Sequence, residues 1–326
     1  MKYHESIAVV VGANREHEAL RRCLRSIHTL LAQPEDLIFI DNCSIEDIGN
    51  WAITHFPGTT VVRLDTNGFY CGGYNVGIKI AIDRGYDFVL IMNSDTEVIN
   101  PGFLAELLQS AKRYPRAAFI GPLVYFRSRG IVQKTCLQFP RVLRIFTTWL
   151  PWRLMPSHFR HQPKEEGEVE FLNGVCMLCR VSALREFGLM DETFGGYVED
   201  ADWSWRAQQK GWISVFSPVP SVIHHEETIG YEPYSLKTFL LKRNTVFWYL
   251  KVGWRFSAYA YAYASLSLAQ ARMMAERSEI GRKRHQYFTH KLSKAYSGLL
   301  RGDPLGEWFG PPIGGWDNNV IKSTWI

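Results

Sequence analysis

The sequence predicts an α/β fold, with a mostly parallel central sheet flanked by helices and a helical extension at the C-terminus. In the first half of the chain, short apolar, β-branched runs alternate with segments of helical periodicity. This alternation is typical of parallel strands that helices cover on both faces. From Leu236 to about Leu300 the periodicity is helical. The 326 residues correspond to two domains of ~150 residues each.

The predicted elements of the first half follow one another regularly. Strands are expected at 7–11, 37–40, 60–64 and 88–92, and helices at 16–31 and 76–84. In parallel sheets of this kind, ligands bind where the carboxyl ends of the strands meet. We therefore expect the functional residues at the ends of these strands.

The second half begins with a less regular stretch. Residues 127–167 are rich in proline, arginine and aromatic residues and are predicted to form a long excursion, of the kind that often serves as a lid or binding loop. After it we predict a strand at 169–181, a helix at 199–210 and short strands at 213–216 and 221–225. A domain boundary near Gly230 separates a first domain, 1–230, from the extension, 231–326.

Composition and charge exclude several classes of protein. With 46% hydrophobic and 21% charged residues, the chain is neither disordered nor collagen-like. Its net charge of +5 is too small to predict a nucleic-acid partner. The aromatic content of 14%, with 11 tryptophans, is typical of surfaces that bind sugars, nucleobases or membrane interfaces.

The cysteines and the hydropathy pattern indicate the cellular compartment in which the protein is expected. Cys176 and Cys179 lie in an apolar run without a second pair that would complete a zinc site, so we expect buried thiols in a reducing compartment. The N-terminus lacks the apolar core of a signal peptide. The most apolar stretch, 245–270, is interrupted by Lys251 and Arg255, and no membrane span is predicted. These observations predict a cytoplasmic protein.

Four polar or glycine-rich segments carry the candidate chemistry. They are Asp41-Asn42-Cys43-Ser44 after the second strand, the glycine-rich segment 67–77, Asn93-Ser94-Asp95-Thr96 after the fourth strand, and Glu199-Asp200-Ala201-Asp202 at a helix start. A glycine-rich loop before a helix offers backbone N–H groups to a phosphate, although turn chemistry or packing also explains glycines. A dinucleotide fingerprint needs its glycines straight after the first strand, where only Gly12 lies, and is excluded.

The acidic residues and histidines have two interpretations each. Asp95, with Asn93 two residues earlier, suits a hard divalent cation, but an Asx turn would also use these residues. The acids of 199–202 fit a catalytic role or the positive end of a helix dipole. His224 and His225 point to opposite faces of a strand, so at most one of them faces the cleft, and a structural role is the alternative.

Taken together, the order of these segments resembles the inverting glycosyltransferases of family 2, in particular their rhamnosyltransferase-like branch. The resemblance covers 7–226 and extends weakly to Arg243-Asn244. The matching signatures are Asp41-Asn42-x-Ser44, Asn67-Gly68-Phe69 with Gly72-Gly73-x-Asn75-x-Gly77, Asn93-Ser94-Asp95-Thr96, Asn173-Gly174, and Gly188-x-x-Asp191-Glu192-x-Phe194 leading to Glu199-Asp200-x-Asp202. It implies the Rossmann-like GT-A fold, with a nucleotide-binding half at about 1–125 and an acceptor-binding half at about 126–230.

The resemblance implies a nucleotide-sugar site in the first half. Asp41 would bind the base of the donor, and Asp95 would hold Mg²⁺ or Mn²⁺ against the diphosphate, with His224 as a second metal ligand. Asn93 stands where the family's D-x-D motif has its first aspartate, which leaves one strong anionic ligand. The nucleotide-binding set implied is Asn14, Asp41, Asn42, Asn67, Gly68, Gly72, Gly73, Asn75, Asn93, Ser94 and Asp95.

The second half is implied to hold the acceptor. Asp200 would be the general base that takes the proton of the acceptor hydroxyl. The residues implied to bind acceptor or sugar are Asn173, Gly174, Glu199, Asp202 and Trp203. Trp203 and Trp205 are candidates for a sugar-stacking platform, and packing in the core is the alternative for both.

Partners and rival functions follow from the same resemblance. The donor implied is dTDP-rhamnose or a UDP-hexose, and the acceptor a cell-surface polysaccharide or glycolipid. The basic, aromatic C-terminal helices suit the inner face of an anionic membrane; packing on the first domain and a homodimer contact are alternatives. A sugar nucleotidyltransferase would need a cation for its triphosphate, and only Lys79 lies near the glycine-rich segment. An inactive scaffold is the remaining rival, because of Asn93.

Overall fold

The structure is a computed structural model that describes residues 5–15, 18–126, 130–140, 162–225 and 235–303. Contacts divide these residues into two units. The α/β unit holds the described residues up to 139, 162–195 and 199–225, and the helical unit holds Pro140, Gly196–Val198 and 235–303. The predicted boundary near Gly230 and most of the predicted excursion, 127–129 and 141–161, lie outside the described residues.

Eleven strands are formed in the described part of the α/β unit. They are β1 Ile7–Ala13, β2 Leu37–Asp41, β3 Thr60–Arg63, β4 Phe88–Asn93, β5 Thr96–Val98, β6 Ala117–Phe126, β7 Cys136–Leu137, β8 Gly167–Val169, β9 Phe171–Leu172, β10 Cys176–Arg180 and β11 Ile213–His224. The helices of this unit are α1 Glu18–His28, α2 Ile48–His55, α3 Phe69–Asp83, α4 Phe103–Arg113, α5 Val181–Phe187 and α6 Glu199–Gln209.

The main sheet has the order β3-β2-β1-β4-β10-β6-β11-β5, with β8 paired to β11. The four strands predicted in the first half are confirmed, and β3, β2, β1 and β4 are parallel. The remainder is mixed, because β10 runs antiparallel to both β4 and β6. The apolar runs of β1, β2 and β4 are buried, as a sheet covered by helices requires, and those of the edge strand β3 are half-buried. At the carboxyl ends, Ala13 lies opposite Asp41 and Gly12 lies opposite Asn93.

Two predictions for the second half need correction. The region predicted as one strand at 169–181 is divided among β8, β9 and β10, with breaks at Glu170 and at 173–175. β10 ends at Arg180, because Val181 starts α5, which ends before Gly188 at a φ of 83°. The two short strands predicted at 213–225 are one strand, β11. Register shifts around Pro220 let this strand bend past a residue that cannot donate a backbone hydrogen bond.

The glycine-rich segment is helical, not a loop before a helix as predicted. α3 begins at Phe69, so Gly72, Gly73 and Gly77 lie inside it. Glycine is unfavourable within a helix, but here close packing requires it: a Cβ at Gly77 would lie 2.4 Å from Cγ1 of Val10, and one at Gly73 would lie 3.1 Å from Nδ2 of Asn42. Packing against β1 and the end of β2 therefore outweighs helix propensity.

Replacing Gly77 by alanine should destabilise the fold. The new methyl group would meet the side chain of Val10 inside a close-packed core, and overpacking costs about 1–3 kcal/mol. We expect Gly77→Ala to lower the free energy of unfolding in urea by about that amount. Gly85→Ala is a useful comparison, since a Cβ there meets nothing within 4 Å and the loss reflects only its φ of 78°. Equal stability of Gly77→Ala and the wild type would contradict this account.

The helical unit contains α7 Leu236–Lys251, α8 Arg255–Ala275 and α9 Glu279–Arg301, which confirms the predicted helical periodicity. Trp248, Tyr249 and Tyr296 are among its buried residues. Among the helices that the structure describes, none has the length and apolar character needed to cross a membrane. Of the cysteines, Cys43 is exposed and the other five are buried thiols, as predicted for Cys176 and Cys179.

Candidate active site

Asn42 connects the end of β2 to the start of α3. Its Oδ1 accepts a hydrogen bond from the Gly68 N–H at 2.8 Å, and its Nδ2 donates to the Phe69 carbonyl at 2.8 Å. Asn67 Oδ1 accepts from the Phe69 N–H at 2.7 Å, an Asx turn that starts the helix. Asn14, at the end of β1, is partly exposed beside this edge. Asn14, Asn42, Asn67 and Gly68 thus lie at the carboxyl edge of the sheet, and their contact with a nucleotide stays a prediction.

Asp41 is buried and is bound by its own chain. Its side chain is 0% exposed, and its oxygens accept hydrogen bonds from the N–H groups of Ser44, at 2.8 Å, and Gly49, at 3.2 Å. Arg63 Nη1 donates to Oδ2 at 2.8 Å. A contact between this carboxylate and a nucleotide base therefore requires one of these groups to be displaced.

Asp95 and His224 lie side by side although they are far apart in sequence. The pairing of β5 with β11 sets His224 opposite Thr96, next to Asp95. His224 Nε2 lies 3.1 Å from Asp95 Oδ1, and its Nδ1 lies 2.9 Å from Gln133 Oε1. His225 faces away and pairs with Glu97 at 2.7 Å. One histidine of the pair therefore faces the site, as the strand periodicity predicted.

These residues fit a divalent cation with few protein ligands. When Gln133 accepts the Nδ1–H of His224, the lone pair of Nε2 points to the Asp95 side, which is the usual arrangement of a metal-binding histidine. The buried Oδ1 of Asn93 has no hydrogen-bond partner among the described residues. Within the described ranges, no group of three or more His, Cys, Asp or Glu side chains is placed to hold a metal. Substrate phosphates would have to complete the shell.

Asp200 lies in the first turn of α6. Its carboxylate accepts a hydrogen bond from the Ala201 N–H at 2.8 Å and interacts with the Gly174 N–H. Burial raises the pKa of Asp200 to about 6, although these N–H groups lower it. Burial, and then the charge of Asp200, raises the pKa of the neighbouring Glu199 well above its usual range. Burial and the closeness of the two carboxylates therefore disfavour the state in which both are charged.

Two tyrosines connect the Asp95 and Asp200 parts of the site. The rings of Tyr70 and Tyr74 lie 4.4 Å apart. Tyr70 donates to the Gly174 carbonyl at 2.7 Å, and Tyr74 donates to the Met92 carbonyl at 2.5 Å, two residues before Ser94. Burial is the largest cause that raises the pKa values of both hydroxyls. Nearby charges add to it, and they include Asp200 for Tyr70 and Asp95 for Tyr74. The two α3 tyrosines thus contact the strand end that precedes Asp95 and the turn at Gly174 that contacts Asp200.

Some predicted site residues support the fold instead. Trp203 is 1% exposed, donates to the Gly188 carbonyl and packs on Phe119. Its ring is not accessible to an acceptor, so Trp203 packs in the core, which was the alternative to a sugar-stacking role. Asp202 is buried and pairs with Arg206 at 2.8 Å. Asn75 is buried too, and its Nδ2 donates to Met190 O and Glu192 Oε1.

Sequence reasoning missed three residues of the site. Tyr70 and Tyr74 carried a signal, because their spacing of four within the glycine-rich segment places them on one helix face. Gln133 carried none, since it lies in the irregular stretch 127–167 and only the tertiary fold brings it to His224. Asn173 and Gly174 occupy the break between β9 and β10, where a Cβ on Gly174 would lie within 2.4 Å of the Tyr70 hydroxyl oxygen.

The family follows from comparison with known proteins. Residues 8–188, more than half of the chain, match the model of glycosyl transferase family 2, and the chain belongs to that family. It is 29% identical over 260 residues to the N-acetylglucosaminyl-diphospho-decaprenol L-rhamnosyltransferase of Mycobacterium tuberculosis, covering 72% of this chain and 84% of that one. Galactofuranosyltransferase GlfT1 of the same organism is 28% identical over 192 residues, 57% of this chain and 59% of that one.

A solved structure shows the same fold. The structure of GalNAc-T7 with UDP, GalNAc and Mn²⁺ matches 94% of this chain with a TM-score of 0.57 and 15% sequence identity. This chain covers 59% of that longer chain. The fold is therefore GT-A, as predicted, with helices added at the C-terminus.

Proposed function

We propose that this protein is an inverting glycosyltransferase that moves a sugar from a nucleoside-diphosphate donor to a hydroxyl of a lipid-linked glycan or cell-surface polysaccharide. The proposal is supported by the contact of Asp95 with His224 and by the neighbouring pair Tyr70 and Tyr74, which donate to the Gly174 carbonyl near Asp200 and to the Met92 carbonyl near Asp95. The rhamnosyltransferase relative favours L-rhamnose as the sugar, with dTDP-rhamnose as donor, and a UDP-hexose is the second choice.

The donor side is proposed to use the edge formed by the ends of β1, β2 and β4. Asn42 and the start of α3 would shape the nucleotide pocket, and Asp95 and His224 would hold Mg²⁺ or Mn²⁺. Bound there, the cation would neutralise charge on the leaving diphosphate. The structure of the neighbour with UDP and Mn²⁺ supports a divalent metal in this fold.

The acceptor side is proposed to use Asp200 as the base. An ionised Asp200 takes the proton of the acceptor hydroxyl while that oxygen attacks the anomeric carbon from the face opposite the diphosphate, so the configuration inverts. Its raised pKa makes it a stronger base than an ordinary aspartate and still leaves it ionised at neutral pH. The Gly174 and Ala201 N–H groups hold its orientation.

The rate should depend on pH through the Glu199–Asp200 pair. Because Asp200 must be ionised to act and its pKa is about 6, kcat/KM should fall about tenfold per pH unit below 6 and level off above it. Glu199→Gln should keep this acidic limb, since glutamine resembles the protonated acid. A limb near pH 4, the range of an exposed aspartate, would contradict the effect of burial.

Calorimetric binding of UDP, dTDP, GDP and CDP, each with Mn²⁺ and with EDTA, tests the proposed function. Metal-dependent binding of one nucleotide is the expected result and would identify the base of the donor. Binding that persists in EDTA would remove the metal role of Asp95 and His224. Failure of all four nucleotides to bind would overturn the transferase proposal.

We also propose that the helical unit contacts an anionic membrane surface, where a lipid-linked acceptor would be found. Residues 235–303 contain 13 Lys and Arg and three Asp and Glu, a net charge of +10, so the rest of the chain is net −5. α8 presents Phe256, Tyr259 and Tyr263, 79%, 49% and 78% exposed, at the spacing of one helix face. Aromatic side chains and basic charge together favour an anionic lipid interface.

Serine at Phe256, Tyr259 and Tyr263 should therefore weaken binding to phosphatidylglycerol vesicles by at least about tenfold, measured by co-sedimentation. Ile45→Ser, at a 96% exposed isoleucine of the α/β unit, is the control and should bind normally. Unchanged binding of the triple variant would refute the assignment, and loss of a dimer instead would assign this face to a second copy.

A further inference from the structure

The segment directly before Glu199 contains two residues in an unfavourable backbone conformation. Tyr197 and Val198 have φ angles of 67° and 74°, in the left-handed region. That region is strained for residues other than glycine, most of all for a β-branched residue such as Val198. Such strain persists only where surrounding contacts hold it, and it is found most often at functional sites. This segment, Gly196–Val198, belongs by its contacts to the helical unit, yet the next residue starts α6.

Asn244 of α7 supplies the holding contact. Its side chain is 0% exposed, and its Nδ2 donates to the carbonyl oxygens of Gly196 and Tyr197, each at 2.7 Å. The two acceptors belong to consecutive peptide units, so one amide group fixes the direction of the backbone through the segment. The strained conformation is therefore matched to a specific, buried donor.

Arg243 determines which end of that amide faces the segment. It is buried as well, and its Nε donates to Asn244 Oδ1 at 2.7 Å, while its Nη2 donates to the same oxygen. A guanidinium can only donate hydrogen bonds, so its partner must be the amide oxygen, which accepts them, and not the amide nitrogen. The nitrogen must then point to the Gly196 and Tyr197 carbonyls. The hydrogen bonds from Arg243 thus fix the orientation of the Asn244 amide group. Burial of the two residues would not by itself select this orientation.

We propose that Arg243 and Asn244 are positioning residues for the base. They hold Tyr197 and Val198 in the left-handed region, through the carbonyls of Gly196 and Tyr197, and so set the direction of the Asp200 side chain at the start of α6. The inference rests on the proposed role of Asp200. The strained segment is joined covalently to the Glu199–Asp200 pair, so its backbone path determines where α6 begins.

Asn244→Asp is the first test, since it keeps the oxygen that faces Arg243 and replaces the donor to the segment by an acceptor. We expect kcat for sugar transfer to fall about 100-fold, the effect of a base misplaced by about 1 Å, while the Kd of the nucleotide diphosphate changes less than about twofold. Gln286→Glu, the same amide-to-acid change at an exposed position of α9, should leave both quantities unchanged.

Adding Val198→Gly separates positioning from a general loss of stability. Glycine adopts positive φ without strain, so the double variant Val198→Gly/Asn244→Asp should recover about tenfold of the lost kcat. If Asn244→Asp does not fold, Arg243→Lys tests the same point, because one ammonium cannot reproduce the guanidinium fork; its kcat should fall about tenfold at unchanged nucleotide Kd.

Two results would overturn the inference: normal kcat in folded Asn244→Asp, or a parallel fall in kcat, nucleotide affinity and melting temperature that Val198→Gly does not relieve. Asp200→Asn, assayed alongside, distinguishes this from failure of the proposed base. If Asp200→Asn transfers sugar normally, the base assignment fails whatever Asn244→Asp does.

Discussion

Asp200→Asn should abolish sugar transfer while leaving the donor site intact. The amide cannot accept the proton of the acceptor hydroxyl, and loss of a positioned general base costs about 10²–10⁴-fold in rate. Because asparagine keeps an oxygen for the Ala201 and Gly174 N–H groups, the fold of the site should persist. We therefore expect kcat to fall by at least about 10³-fold, with the Kd of the preferred nucleotide diphosphate unchanged within about twofold.

The matched control is Asp83→Asn, the same change at an exposed residue at the end of α3. It should transfer sugar at the wild-type rate. Direct analysis of the anomeric configuration in the product gives a second check, because a single displacement assisted by Asp200 must invert it. A retained configuration would rule out this mechanism even if Asp200→Asn were inactive.

Asp95→Asn should remove the effect of metal on nucleotide binding. It exchanges the carboxylate beside His224 for a neutral amide, and changes to groups that only support a metal ligand already cost 10–100-fold in metal affinity. Loss of the anionic ligand itself should weaken Mn²⁺ binding by about 100-fold or more. In calorimetry, the variant with Mn²⁺ should bind the nucleotide no better than the wild type in EDTA.

Glu97→Gln provides the comparison for this variant. Glu97 pairs with His225 on the opposite face of the same strand pair, so the change is similar in charge and location but does not touch the Asp95–His224 pair. Its metal response should equal that of the wild type. If Glu97→Gln and Asp95→Asn lost the metal response equally, a general change in surface charge would explain both results.

The features visible in the sequence were those governed by local chemistry. Apolar runs predicted the parallel strands β1 to β4, and the polar residues after them predicted the edge where Asp41 and Asn93 lie. Strand alternation predicted that one of His224 and His225 faces away. The resemblance of the motif order to a family brought Asp95, Asp200 and His224 into one hypothesis. The structure sets His224 beside Asp95, and a shared site with Asp200 stays a prediction.

What the sequence did not predict depends on contacts between distant residues. The helical start of α3 at Phe69 opposes glycine propensity and is decided by the space beside Val10. The sequence around Trp203 does not distinguish a tryptophan that stacks on a sugar from one that packs in the core. Gln133 and the orientation of Asn244 involve partners from other parts of the chain, and no local pattern records such partners.

The insertion of β10 between β4 and β6 has a consequence for the order in which the protein is made. During synthesis, β4 has no neighbour on one side until Cys176–Arg180 leaves the ribosome, and Asp95 has no histidine beside it until β11 follows. An emerging chain therefore presents an open, apolar strand edge from the time β4 is made until β10 follows. Fragments that end before β10 should be prone to aggregation, and the contact of His224 with Asp95 forms only in a chain that has closed its sheet.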